Sequence, residues 1–179
     1  MITGRVRLST PSGPAPGPEL EIVHLLRAVV VELGLHSARF AQLHGMHPTD
    51  VRALIALMDA RRAGEEMSVG RLGGVLGLNS AGTTALVDRL ERAGHVRRVR
   101  GAGDRRKVVA EVEDSAVALG RAFFGPLIER SAELLRGYDA HQLAAVRDFL
   151  DGVRTAAAEA GDTAPGGGSQ RDPRHRTPR

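Results

Sequence analysis

The stretch His95–Glu113, "HVRRVRGAGDRRKVVAEVE", gathers six basic residues, Arg97, Arg98, Arg100, Arg105, Arg106 and Lys107, around Gly101, Gly103 and Asp104. Guanidinium groups at such density suit carboxylates or phosphates, which their planar fork can grip with two hydrogen bonds. Three uses fit: a loop cradling a nucleotide phosphate, a solvated hairpin, or an arm that touches a polyanion. The first fails, because no helix follows "GAG" as a dinucleotide fingerprint requires. A second phosphate-loop candidate, "GLNSAGTT" at Gly77–Thr84, has suitable glycine spacing and a terminal hydroxyl. It fails too: Thr83 stands where that loop needs Lys, and a helical pattern precedes it instead of a strand.

The elements that must position these residues are mostly helical. Ile22, Leu25, Leu26, Val29, Val30 and Leu33 recur at helical spacing, and that run extends to about Gly45. "HPTD" supplies a turn proline and Thr49 as N-cap of a helix with Val51, Leu54, Ile55 and Met58 on one face. Ser68 caps a third helix and Asn79 a fourth, which turns Thr83, Leu86, Val87 and Leu90 inward and closes at Gly94. The period then changes to two: Val108, Ala110 and Val112 alternate with Val109, Glu111 and Glu113, and pair with "HVRRVR" across "GAGD" as a β-hairpin. Helical spacing returns from Asp114, and Asp139 caps a last helix carrying Leu143, Val146, Phe149, Leu150 and Val153.

Within "SVGRLGGVLGLNSAGTTALVDRLERAGHV", Gly77 makes the turn, Leu78 plugs the core and Asn79 caps the next helix. This is helix-turn-helix chemistry, whose alternative is an ordinary helical hairpin in a bundle. In a helix-turn-helix the start of the second helix enters the DNA major groove. Ser80, Ala81, Gly82, Thr84, Ala85 and Asp88 would face outward there, small enough for close backbone approach. The basic hairpin that follows then reads as a wing beside the duplex, where an arginine can enter the minor groove. Asp104 would be repelled by phosphate and is read as the residue that orients the tip, by bonding arginine side chains or backbone amides.

Composition narrows the alternatives. The chain has 179 residues, 42% hydrophobic, a net charge of +4 and 25 Lys+Arg, of which Lys107 is the sole lysine. Composition bias explains most of that arginine, and the charge permits nucleic-acid partners without requiring them. Aromatics at 3% disfavour a single-strand or RNA module built on stacking. With no cysteine there is no disulfide, thiol nucleophile or thiolate zinc site. No apolar run suits a membrane span or export signal, so a cytoplasmic location and no membrane partner are expected. No triad, metal cluster or nucleotide loop suggests an enzyme, and no cofactor is expected. Seven of nine prolines fall in Pro11–Pro18 and Pro165–Pro178, marking disordered tails at 1–18 and 161–179, the second carrying Arg171, Arg174, Arg176 and Arg179.

"LGLNSAGTTALVDRLERAGHVRRVRGAGDRRKVVAEVE" resembles the core of the MarR (multiple antibiotic resistance regulator) family of winged helix-turn-helix regulators, above all in "LVDRLERAGHV" and "DRRKVVAEV". The fold class so implied is mainly α with a small β-hairpin wing. Residues 49–113 would form the winged domain of a MarR-like region at 19–160, and 19–45 and 114–160 its flanking dimerisation helices. The resemblance implies a homodimer that binds double-stranded DNA at a pseudo-palindromic operator, as a ligand-responsive repressor. The DNA-facing set is Asn79, Ser80, Ala81, Gly82, Thr83 and Thr84 at the recognition helix, Arg89 as a phosphate contact, and Arg98, Arg100, Asp104, Arg105 and Arg106 on the wing. Two departures stand out: Ala85 lies near a position where many members carry Arg, and "VEDS" follows the wing strand where many have Leu-Thr. A winged-helix module for protein interaction is the competing function.

The resemblance also implies a small anionic or aromatic effector, bound between the dimerisation helices and the winged domain. His36, Phe40, His44 and His47 lie near that crevice by analogy, on one stripe at spacings of four, four and three. Plain helix packing, effector contact and a metal pair at His44-x-x-His47 are all open for them. The stripe has no carboxylate, which disfavours metal.

Overall fold

A computed structural model describes residues 17–102, 104 and 106–163. The terminal tails expected at 1–18 and 161–179 lie almost wholly outside the described residues, as do Gly103 and Arg105. The order is α1 (Pro18–Leu43), α2 (Pro48–Ala63), α3 (Val69–Leu76), α4 (Ser80–Arg92), β1 (Val96–Arg100), β2 (Val108–Val112), α5 (Asp114–Leu135) and α6 (Ala140–Thr163). Two compact units divide within α5, one ending at Phe123 and the other starting at Phe124.

In the first unit, α1 begins with Pro18 in its first turn and Glu19 and Glu21 beside the positive end of the helix dipole. The cap of α2 differs from the expectation. His47, not Thr49, is the N-cap: its Nδ1 accepts from the Thr49 N–H at 3.3 Å, and the Asp50 carboxylate accepts from the His47 N–H at 3.0 Å. Pro48, with its fixed φ and missing N–H, suits the first helical position and so moves the cap one residue upstream of it. Ser68 caps α3 and Asn79 caps α4 through their side-chain oxygens.

The core lies among α2, α3, α4 and the hairpin. Leu72, Leu86, Leu90, Val51 and Val87 are its largest fully buried side chains, with Val96, Ala110, Val112 and Ala116 closing it. β1 and β2 are antiparallel, with Val96 opposite Val112 and Arg100 opposite Val108. The expected alternation on β2 is only partly followed. Ala110 and Val112 are buried, yet Val108 is 46% exposed and Val109, on the other face, is buried. The reason is tertiary: Ser68 bridges to Val109 and the Met67 carbonyl accepts from the Ala110 N–H at 2.9 Å, so the segment before α3 extends the edge of β2 and brings Met67 beside Val109.

In the second unit, Asp139 caps α6 as expected, in a reciprocal box with Gln142: each side chain accepts from the other's backbone N–H, at 2.8 and 2.9 Å. Ile128, Leu134, Leu135 and Leu150 are exposed there. Within the first unit, Leu20, Leu25, Val29, Val30, Leu33 and Leu35 of α1 are also 45–61% exposed. Among the described residues no helix is long and apolar enough to cross a membrane.

Candidate nucleic-acid interface

The turn between α3 and α4 follows from its residues. Gly77 ends α3 at φ 66°, a left-handed conformation that suits a residue without a Cβ. The Leu78 N–H returns to the Gly73 carbonyl at 2.9 Å, and its side chain packs on the core. Asn79 Oδ1 accepts from the Gly82 N–H at 2.8 Å and starts α4. Gly73 sets the closeness of the two helices, since a Cβ there would lie 2.4 Å from Thr83 Oγ1.

This packing corrects one expected DNA contact. Thr83 is buried at 2% exposure, and its hydroxyl donates to the Asn79 carbonyl at 2.9 Å. It faces α3 and belongs to the core. Asn79, Ser80, Ala81, Thr84 and Ala85 are exposed, and Gly82 is half-buried.

The arginines divide into two groups. Arg89 directs its fork at Asp50, whose side chain is 4% exposed: Nε donates to both carboxylate oxygens at 3.1 Å and Nη2 to one at 2.5 Å. Arg98 reaches back from β1 to α4, where it donates to Asp88 at 2.5 Å and also to Glu91. Arg97 lies against Glu111, at 2.7 Å, and Glu113, at 3.7 Å. The hydrogen bond to Asp50 raises the Arg89 pKa above its ordinary value, as the one to Glu111 does for Arg97. At Arg98 desolvation acts downward, but Asp88 and Glu91 outweigh it and the net shift is upward. Arg100, Arg106 and Lys107 are exposed, and no described ion pair involves them. Arg105 lies outside the described residues.

The wing tip spans seven residues between the strands, longer than the tight turn "GAGD" suggests. The Gly101 N–H donates to the Lys107 carbonyl at 3.0 Å, and the Lys107 N–H to the Asp104 carbonyl at 2.9 Å. Asp104 Oδ1 accepts from the Arg106 N–H at 3.0 Å, a bond that shapes the tip. A further anchor carries no sequence signal: Glu66, before α3, accepts from the Ala102 N–H at 2.7 Å. Nothing local marks it, because its partner lies 36 residues away. Beside it a cavity of about 390 Å³ is lined by Leu57, Glu66, Met67, Arg97, Val109 and Glu111, among others. Of its charged lining, Arg97 pairs with Glu111 and Arg61 with Asp114, and Glu66 is held by the Ala102 N–H.

The His–Phe stripe is shorter than its spacing implied. His36 and Phe123 have ring centroids 4.5 Å apart, as do Phe40 and His44, and Phe40 and Phe123 lie 5.1 Å apart. His47 is not part of this cluster, since Gly45 at φ 61° ends the α1 periodicity and His47 caps α2 instead. Phe123, from α5, could not be assigned to the cluster before the fold was known. Among the described residues no group of three or more His, Cys, Asp or Glu could hold a metal ion.

A capped helix with an exposed start, placed behind a Gly-Leu-Asn turn and followed by a two-stranded basic wing, defines a winged helix-turn-helix protein. The MarR family profile matches residues 44–107. The chain is 34% identical over 132 residues to the uncharacterized HTH-type transcriptional regulator YcgE of Bacillus subtilis (strain 168), covering 74% of this chain and 83% of that one. The chain belongs to the MarR family of transcriptional regulators. Its fold is similar to that of a MepR variant from a multidrug-resistant S. aureus clinical isolate, with TM-score 0.62 and 15% identity over 76% of this chain and 96% of that one. A MarR family protein from Bacillus stearothermophilus gives TM-score 0.54 and 22% identity over 78% and 94%. The S. aureus MepR–DNA complex gives 0.53 and 15% over 79% and 99%.

Proposed function

We propose that this regulator binds double-stranded DNA sequence-specifically as a homodimer, at a pseudo-palindromic operator, and acts as a ligand-responsive repressor. The observation that carries DNA binding is the exposed first turn of α4 beside a wing whose Arg100, Arg106 and Lys107 have no described acidic partner. Cations in that state neutralise backbone phosphates and release counterions, which makes affinity fall steeply with salt. A helix start supplies small side chains and backbone donors to the groove. The S. aureus relative in complex with DNA supports the same reading.

Dimerisation is supported by the exposed apolar side chains of α1 and, separately, of α5 and α6, since aliphatic surface on that scale is stabilised by burial against a second copy. Of the two effector classes, anionic or aromatic, the ring contacts of the His36–Phe40–His44–Phe123 cluster favour the aromatic one. Selection of bound DNA from a random library at two salt concentrations, with sedimentation of the free protein, tests the assignment. A palindromic consensus and a dimeric mass are expected. A monomer that enriches no site would leave the protein-interaction module as the function.

A further inference from the structure

We propose that α4 reads the 5-methyl groups of thymine in the major groove, so that direct readout beneath this helix selects A·T pairs and ignores guanine edges. The inference rests on the DNA-binding function proposed above and concerns what the helix can distinguish once it is in the groove.

Guanine is read most often by an Arg or Lys fork on O6 and N7, adenine by Asn or Gln on N6 and N7, and cytosine by a carboxylate on N4. Each of these devices is missing from α4 or already engaged. Arg89 directs its fork at Asp50. Arg92 sits in the last turn, about 18 Å of helix rise from Ser80, while recognition falls at the helix start. The Asn79 side chain would need its oxygen as well as its amide to grip adenine, and that oxygen caps the helix through the Gly82 N–H at 2.8 Å. Asp88 and Glu91 both pair with Arg98, and they lie about 12 and 16 Å of helix rise from Ser80, beyond the helix start where bases are read. What α4 leaves exposed over its first turns is Ser80, Ala81, Thr84 and Ala85. Ala81, Ala85 and the Thr84 methyl match the thymine methyl by apolar contact, and such short side chains bring the helix backbone close to the base edges. The two hydroxyls accept or donate without preference. The wing adds no contact to the guanine O6 and N7 edge, because an arginine that enters the minor groove meets only its width and degenerate pattern.

The test uses the full-length protein and the operator obtained by selection. One synthetic operator carries uracil for every thymine, which removes only the methyl groups, and another carries 7-deazaguanine, which removes the N7 acceptor. Uracil is expected to weaken binding roughly tenfold or more, as a few buried methyls require, and 7-deazaguanine less than about threefold. Thr84→Ser, which keeps the hydroxyl and removes one methyl, should weaken binding to the thymine operator and leave binding to the uracil operator unchanged. That cycle separates a contact from an effect of uracil on DNA shape. A tenfold loss with 7-deazaguanine, or equal affinity for all three operators, overturns the proposal while DNA binding itself stands. Failure to select any operator overturns both.

Discussion

Removing Arg89 separates two roles that this side chain can fill, a phosphate contact or a brace for the recognition helix. Its partner Asp50 has a side chain 4% exposed, whereas Arg89 is 46% exposed. Deleting one member of a fully buried pair costs about 3–5 kcal/mol, because the remaining charge is stranded. Water can reach the gap left by a half-exposed guanidinium, and Asp50 retains the His47 N–H at 3.0 Å. The expected cost of Arg89→Ala is therefore lower, about 1–3 kcal/mol. Asp50→Ala should cost a similar amount, since it also loses the cap. The double variant should fall short of the sum by about 1–2 kcal/mol. Urea unfolding at one fixed protein concentration measures all three. In DNA binding, a brace lowers affinity on Arg89→Ala and on Asp50→Asn alike, with the salt dependence unchanged. A phosphate contact instead reduces the salt slope by about one and spares Asp50→Asn. Additive stabilities, with Arg89→Ala costing less than about 0.5 kcal/mol, would refute the coupling.

Arg106→Ala should weaken operator binding by about 1–3 kcal/mol and reduce the salt slope without altering the urea midpoint, as gel shifts at several salt concentrations will show. Gly73→Ala brings a Cβ to 2.4 Å from Thr83 Oγ1 and should destabilise the fold by about 1–3 kcal/mol, part of which returns in the Gly73→Ala/Thr83→Ala double variant. Glu66→Ala removes the acceptor for the Ala102 N–H, a bond worth about 0.5–1.5 kcal/mol, and should raise hydrogen exchange at that amide before it affects the core. The arginine pairs should be insensitive to alkali. Their folded pKa values are raised, so the stabilisation is fully present below the ordinary arginine value and is lost only as pH rises through the raised one. Unfolding midpoints measured from about pH 7 to about pH 10 should therefore show no step that Arg98→Ala or Arg89→Ala removes.

Local chemistry made much of the fold legible. Ser68, Asn79 and Asp139 cap their helices because a short polar side chain can meet a free backbone N–H within three residues. Gly77 and Gly94 end theirs because a positive φ suits a residue without a Cβ. At α2 two local rules competed. Thr49 is a good cap, but Pro48 is a better first helical residue, and His47 took the cap instead. Val109 departs from the alternation for a different reason: the segment before α3 pairs with β2 at Ser68, a long-range contact that the alternation of β2 cannot reveal.

The sequence by itself determined the kinds and order of the elements, the helix-turn-helix turn and the basic wing. Each depends on periodicity, capping or turn chemistry that acts over a few residues. Only the tertiary structure decided which arginines are engaged inside the protein. Arg98 belongs to Asp88 and Glu91, and Arg89 to an aspartate 39 residues away. Arg100, Arg106 and Lys107 are left outward among the described residues, with Asp104 shaping the backbone between them. A guanidinium pairs with whichever carboxylate the fold brings within about 3 Å, and for partners on different elements no spacing along the chain encodes that distance.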